Sequence, residues 1–204
     1  SGPDEGGRRS GQGFPDPGNS LTMGGGYLGP IKLVLFDVDG VLTDGTLHIS
    51  GDGEQIKAFN VRDGIAISLL RAHGIRSGVL SGKTSKALDY RIKQLKFDLA
   101  ITGQLEKLGA YSEIKAEQEL ADAQIAYVGD DVVDLPLSGL VGSFYAPADA
   151  HALVLSVASH ITTVNGGRGV AREVAEHILL AGGLTLEEMY RPLMNQWKRY
   201  DTAQ

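Results

Sequence analysis

Six short apolar runs rich in β-formers punctuate the chain after Pro30, and the first four end in Gly or Asp. They are IKLVLFDVDG (31–40), IRSGVLSG (75–82), FDLAITG (97–103), IAYVGDD (125–131), VGSFYA (141–146) and SHITTV (159–164). Near-continuous apolarity without alternation suits strands buried on both faces of a parallel sheet. Between them the apolar positions recur at helical spacing. That period predicts helices over 63–73, with Gly74 as the stop, 84–95, 106–120, a short one over 132–140, then 168–180 and 184–197. Alternating strand and helix defines an α/β doubly wound layer structure. One segment breaks the alternation: TLHI and EQIKAF flank SGDG, which predicts a β-hairpin at about 45–60 inserted after the first strand.

Ligands in such sheets bind at the carboxyl ends of the strands. The loops that matter therefore begin at Asp37, Ser81, Gly103 and Gly129.

Composition narrows the field. The chain has 204 residues, 42% hydrophobic and 22% charged, as expected of one globular domain. Ten of its 28 glycines fall within residues 1–29, a Gly- and Pro-rich stretch with no apolar period that reads as a flexible tail preceding a domain over 30–204. With no Cys there is neither a disulfide framework nor a thiolate site. A formal charge of −6 argues against a nucleic-acid or anionic-membrane surface, and no window is apolar enough for a membrane span.

Candidate chemistry sits on the loops already singled out. Asp37 and Asp39 close the first strand, and the period of two puts both carboxylates on one side of an extended DVD. Like charges so close stay ionised most easily around a cation, and oxygen donors without His or Cys favour a hard ion such as Mg²⁺. A turn or helix-cap pair is the plainer alternative. Asp130, Asp131 and Asp134 form a second acidic strand end, open to the same two readings. Ser81, Gly82, Lys83 and Thr84 open a helix, offering a hydroxyl and free N–H groups to phosphate oxygens. Lys107 also opens a helix, where the dipole disfavours a cation, so it is either a solvated lysine or one held there for use.

Taken in order, Asp37-Val38-Asp39-Gly40, Ser81, Lys107 and Gly129-Asp130-Asp131 with Asp134 resemble the four motifs of the haloacid dehalogenase superfamily of aspartate-nucleophile phosphatases. Lys57-Ala58-Phe59-Asn60-Val61-Arg62-Asp63-Gly64, Ala148-Asp149-Ala150-His151 and Gly166-Gly167-Arg168-Gly169 are similar to segments of the 3-deoxy-D-manno-octulosonate 8-phosphate phosphatase family. That resemblance implies a cytoplasmic, Mg²⁺-dependent, tetrameric phosphoric monoester hydrolase that supplies the sugar acid of lipopolysaccharide. It further implies that Asp37 is the nucleophile, that Asp39 is the acid and base, and that Ser81 and Lys107 bind the transferring oxygens. Metal ligation would fall to Asp37, the Asp39 carbonyl and Asp130, with Asp131 and Asp134 behind them. By the same likeness Asn60, Val61, Arg62, Asp63, Gly64, Gly82, Lys83, Arg91 and Arg168 line a site for a small anionic sugar phosphate. An arginine at 168 favours the eight-carbon acid, with a related nine-carbon sugar-acid phosphatase as the alternative.

No insertion is long enough for a lid domain, so the site of a single chain is expected to be open. A hairpin with an apolar stripe at Leu47, Ile49, Ile56 and Ala58 is an edge for assembly, or else packs on its own domain. The segment 184–204 carries Leu186, Met189, Tyr190, Leu193 and Trp197 at helical spacing, either a core-facing stripe or a tail that reaches a neighbouring site. Two other readings of the motifs remain: a phospho-accepting receiver-like module without turnover, and a catalytically idle tetramerisation module.

Overall fold

The computed structural model describes residues 26–201. The runs that are apolar on both faces become the sheet: β1 (Leu33–Phe36), β4 (Arg76–Ser81), β5 (Leu99–Thr102), β6 (Ile125–Val128), β7 (Ser143–Ala146) and β8 (His160–Ile161). All pair in parallel in the order β5-β4-β1-β6-β7-β8. The order reverses between β1 and β6, so the chain's topological switch point lies at the ends of the strands that carry Asp37 and Asp130. The hairpin stands outside this sheet as a two-stranded ribbon, β2 (His48–Ser50) with β3 (Gly53–Ile56).

Side-chain alternation divides the core in two. Val34 and Phe36 of β1, with Ala126 and Val128 of β6, face α1 (Val61–Ala72), α6 (Val170–Ala181) and α7 (Leu186–Asp201). Leu33, Leu35, Ile125 and Tyr127 face the other way, onto α3 (Lys107–Glu117), α4 (Leu135–Ser138) and α5 (Ala152–Val157). The remaining helix, α2 (Lys86–Leu95), contributes Leu88 to the first layer.

Several expectations shift. The helix expected over 132–140 is a 3₁₀ turn over Val132–Asp134 followed by α4, and α5 was not expected at all. The run at 159–164 keeps only two residues in the sheet. Residues 1–25 of the expected tail lie outside the described residues. Its boundary moves, because Tyr27 packs against Gly182, the Leu28 N–H donates to the Gly182 carbonyl at 3.1 Å and the Tyr27 hydroxyl accepts from Ile31 N–H at 3.1 Å. Of the C-terminal stripe, Met189 and Leu193 are buried against α1 and α6, whereas Leu186 and Trp197 remain exposed. The hairpin does not pack its apolar stripe on its own domain: Leu47, Ile49 and Ile56 are 43, 67 and 64% exposed. Among the described residues no helix is long and apolar enough to cross a membrane.

Candidate active site

The backbone after β1 turns sharply to present its carboxylates. Asp39 (φ −73°, ψ 124°) and Gly40 (φ 84°, ψ −8°) form the centre of a type II turn, which requires a residue able to hold positive φ at its second central position. Gly40 is needed twice over, since a Cβ there would lie 1.9 Å from Asp130 Oδ2. The loop is braced from behind: a Cβ on Gly166 would meet the Gly40 carbonyl at 2.1 Å, and Gly167 N–H donates to Val41 O at 2.9 Å.

Asp37 ends β1 with its N–H bonded to Val128 O at 2.9 Å, so the two switch-point strands are tied where the chemistry begins. Its Oδ1 accepts from Val38 N–H at 2.6 Å and its Oδ2 from Lys107 Nζ at 2.6 Å. Lys107 is the first residue of α3, and its side chain is 2% exposed. A lysine so placed works against the helix dipole, and three groups compensate: Asp37, Asp134 and the Tyr127 hydroxyl, the last at 2.9 Å. Burial pulls the Lys107 ammonium down, but the two carboxylates outweigh it and the net direction is up.

Asp134 is wholly buried. Its Oδ1 accepts from Lys107 and, at 2.6 Å, from Tyr127; its Oδ2 accepts from the N–H groups of Asp130 and Asp131 at 2.9 and 3.2 Å. Both oxygens are thus occupied in shaping the loop and holding Lys107. Asp131 caps the 3₁₀ turn through Val132 N–H at 2.7 Å.

Asp130 has no such donors among its contacts. Burial first, then Asp37, Asp134 and Asp131, push its carboxyl up to about 8, with Lys107 acting the other way. Burial also raises Asp37, to about 6, against the pull of Lys107. One oxygen each from Asp37, Asp130 and Asp134 lie within 4.8 Å of one another. Crowded, desolvated, oxygen-only and short of positive charge, this set fits a hard divalent cation. Asp134 is wholly buried behind the cleft, whereas Asp37 and Asp130 line it, so those two are the carboxylates placed to meet the ion.

Asp37, Lys107 and Asp130 line an open cleft of about 280 Å³ with Asp39, Gly40, Ser81, Gly82, Lys83, Leu105 and Asp131. Ser81 is buried at the end of β4, where its Oγ accepts from Lys83 N–H at 3.3 Å. Lys83 Nζ lies 3.8 Å from Asp39 Oδ2.

The other expected substrate residues do not line this cleft. Asn60 caps α1 through Arg62 N–H at 2.9 Å, and its amide donates to Gly167 O at 3.4 Å. Val61 is exposed, Arg62 runs along Gly169, and Gly64 packs beside Leu95 and Arg91. Arg91 donates to Asn60 O at 2.9 Å and lies over the Phe59 ring. It lines a second cleft, of about 350 Å³, with Lys57, Phe59, Val61, Ala87, Tyr90 and Gln94. Arg168 is exposed on the loop that braces Gly40. Asp63 departs most from expectation: it is 3% exposed and turned into the interior toward the start of α6, so its carboxylate is not offered to a ligand.

Sequence reasoning missed Tyr127 and Lys57. Tyr127 was legible as the one polar-tipped residue in an apolar strand. Lys57 reaches Asp39 Oδ1 at 2.5 Å across 18 residues, a contact that only the hairpin's placement creates.

A doubly wound sheet with a DxDG turn at its switch point, a serine and a buried lysine at neighbouring strand ends and an opposing acidic loop defines the class, a haloacid dehalogenase-like phosphatase. No family model matches the chain. A 3-deoxy-D-manno-octulosonate 8-phosphate phosphatase of Yersinia pestis is 43% identical over 151 residues, covering 74% of this chain and 81% of the relative. The cobalt-bound phosphatase of the same description from Haemophilus influenzae superposes with a TM-score of 0.74 at 43% identity, over 77% of this chain and 92% of that one. The enzyme from Moraxella catarrhalis, solved with magnesium, phosphate and KDO, gives 0.72 at 35% identity, over 76% and 89%. This chain belongs to the 3-deoxy-D-manno-octulosonate 8-phosphate phosphatase family.

Proposed function

We propose that the chain is a Mg²⁺-dependent phosphatase that hydrolyses 3-deoxy-D-manno-octulosonate 8-phosphate to the free sugar acid and phosphate, in the cytoplasm, as a step toward lipopolysaccharide. The observation that carries this reading is Asp37 at the switch point, its Oδ2 held 2.6 Å from a buried lysine and its neighbours short of positive charge.

Asp37 attacks phosphorus, the bond to the sugar oxygen breaks, and an aspartyl-phosphate forms. Asp39 gives its proton to the departing alkoxide, then takes one from the water that attacks phosphorus and releases Asp37. Lys107 and Ser81 hold the oxygens in transfer. Lys107 also keeps the Asp37 carboxylate aimed, and Asp134 with Tyr127 keeps Lys107 aimed. The carboxylates of Asp37 and Asp130 and the Asp39 carbonyl would hold Mg²⁺, which when bound would offset the repulsion between nucleophile and phosphate and stabilise charge on the transferring oxygens.

The open cleft is completed by assembly. Four chains associate through their hairpins, whose exposed Leu47, Ile49 and Ile56 supply the apolar surface, and a neighbouring chain covers each site. On this reading Arg91, Asn60 and Arg62, which do not line the cleft, contact the sugar in the assembled site. Arg168 meets the sugar-acid carboxylate with a bidentate fork.

The test is a side-by-side assay of the eight- and nine-carbon sugar-acid phosphates with wild type and Arg168→Ala. Preference for the eight-carbon substrate is expected, with KM for it raised at least about tenfold in the variant and KM for an aryl phosphate changed far less. Preference for the nine-carbon substrate would move the chain to the sister activity, and equal KM effects would remove Arg168 from carboxylate reading.

A further inference from the structure

The hairpin is joined to the site by an ion chain centred on a buried lysine. Lys57 follows β3, and its side chain is 1% exposed although the strands beside it are open to solvent. Its Nζ donates to Asp39 Oδ1 at 2.5 Å and to Glu54 Oε1, on β3, at 3.0 Å. Thr43 Oγ1 lies 3.4 Å from the same Asp39 oxygen. Asp39 Oδ1 is therefore engaged from two sides, while Oδ2 is left toward Lys83, 3.8 Å away in the lining of the cleft. Asp39 itself is 22% exposed and sits in a turn, and Lys57 is its shortest side-chain contact.

We propose that Lys57, steadied by Glu54, is a positioning residue that clamps Asp39 by Oδ1 so that Oδ2 is the oxygen presented to the leaving group. This rests on Asp39 being the acid and base of the reaction proposed above. In the first step the Asp37 oxygen bonds to phosphorus and the P–O bond to the sugar breaks, its electron pair passing to the alkoxide, which takes the proton from Asp39 Oδ2. In the second, water bonds to phosphorus, its proton goes to Asp39 Oδ2, and the P–O bond to Asp37 breaks. A general acid is worth about 10²–10⁴ in rate, and misplacing one by an ångström can cost on the order of 10². The geometry thus gives the hairpin a second duty besides assembly, because Glu54 ties β3 to the proton-transferring group.

The test compares an alkyl substrate, the sugar-acid phosphate, with p-nitrophenyl phosphate, whose leaving group needs no proton. For each, kcat/KM reports the steps through alcohol release, and kcat also includes hydrolysis of the aspartyl-phosphate. Lys57→Met should lower kcat/KM for the sugar phosphate about 10- to 100-fold and leave kcat/KM for the aryl phosphate within about threefold, while kcat for both falls. Glu54→Gln should show the same selectivity at roughly three- to tenfold, and it carries the test if Lys57→Met does not fold; Lys57→Arg should recover most of the sugar-phosphate rate. Equal losses of kcat/KM on the two substrates would overturn the clamp, leaving Lys57 as a structural or substrate-attracting charge. Asp39→Asn is the control for the underlying reading: if it loses both substrates equally in kcat/KM, Asp39 is not the acid, whereas a selective Asp39→Asn beside an unselective Lys57→Met faults the clamp alone.

Discussion

Asp63 is the buried carboxylate that the chemistry leaves unused. Its oxygens face the Ala171 and Arg172 N–H groups at the start of α6 without reaching hydrogen-bonding geometry, and α6 has only Gly169 as its N-cap. Burial pushes the carboxyl up from 3.8 to about 6, while those N–H groups and Arg91 draw it down. With the folded value above the unfolded one, the folded state holds the proton more tightly between them. The stability this contributes is full below the unfolded value and is lost as pH rises through about 6. Two units correspond to roughly 3 kcal/mol at most. The difference in urea-unfolding free energy, wild type minus Asp63→Asn, should therefore fall by about 1–3 kcal/mol between about pH 4 and pH 7. A difference that is flat across this range would mean that Asp63 titrates as an exposed carboxyl does. A serine, a lysine and two acidic clusters could be read as site residues because each stands at a strand end. Asp63 could not be sorted from them, since facing a ligand and facing a helix end look alike in sequence.

At the scale of elements, the turn after β1 is the point of greatest constraint. Replacing Gly40 by Ala places a Cβ at positive φ and against Asp130. The strain alone costs about 1–2 kcal/mol, and the Asp130 carboxylate must shift from its place beside Gly40. Gly40→Ala should lower Tm by several degrees and kcat at least about tenfold; unchanged kcat would mean that the placement of Asp130 is not needed. The strands were legible because burial on both faces writes a continuous apolar run, as in LVLF and IAYV, and the parallel order followed from the helices between them. α5 escaped notice because six residues hold too few turns to show a period, and β8 was overdrawn because a polar edge run carries no two-faced signature. The clustering of Asp37, Lys107 and Asp134 was legible only as an ordered set of motifs. Lys57 was not, because its partner is fixed by where the hairpin folds back.

For the whole molecule, the tetramer proposed above would bury the exposed apolar hairpin and cover the open cleft. Light scattering at micromolar concentration should give a tetramer for the wild type and a smaller species for Ile49→Asp, since a charge at a buried apolar contact costs several kcal/mol. A monomeric wild type would leave the hairpin without this role. The catalytic expectations depend on Asp37 being the nucleophile of a metal-dependent phosphatase. The most direct measurement is phosphate release from 3-deoxy-D-manno-octulosonate 8-phosphate by wild type and Asp37→Asn, each with Mg²⁺ and with EDTA. Turnover is expected only for the wild type with Mg²⁺, with the variant down by at least about 10³. Comparable release by Asp37→Asn, or release by the wild type that persists in EDTA, would overturn the central reading.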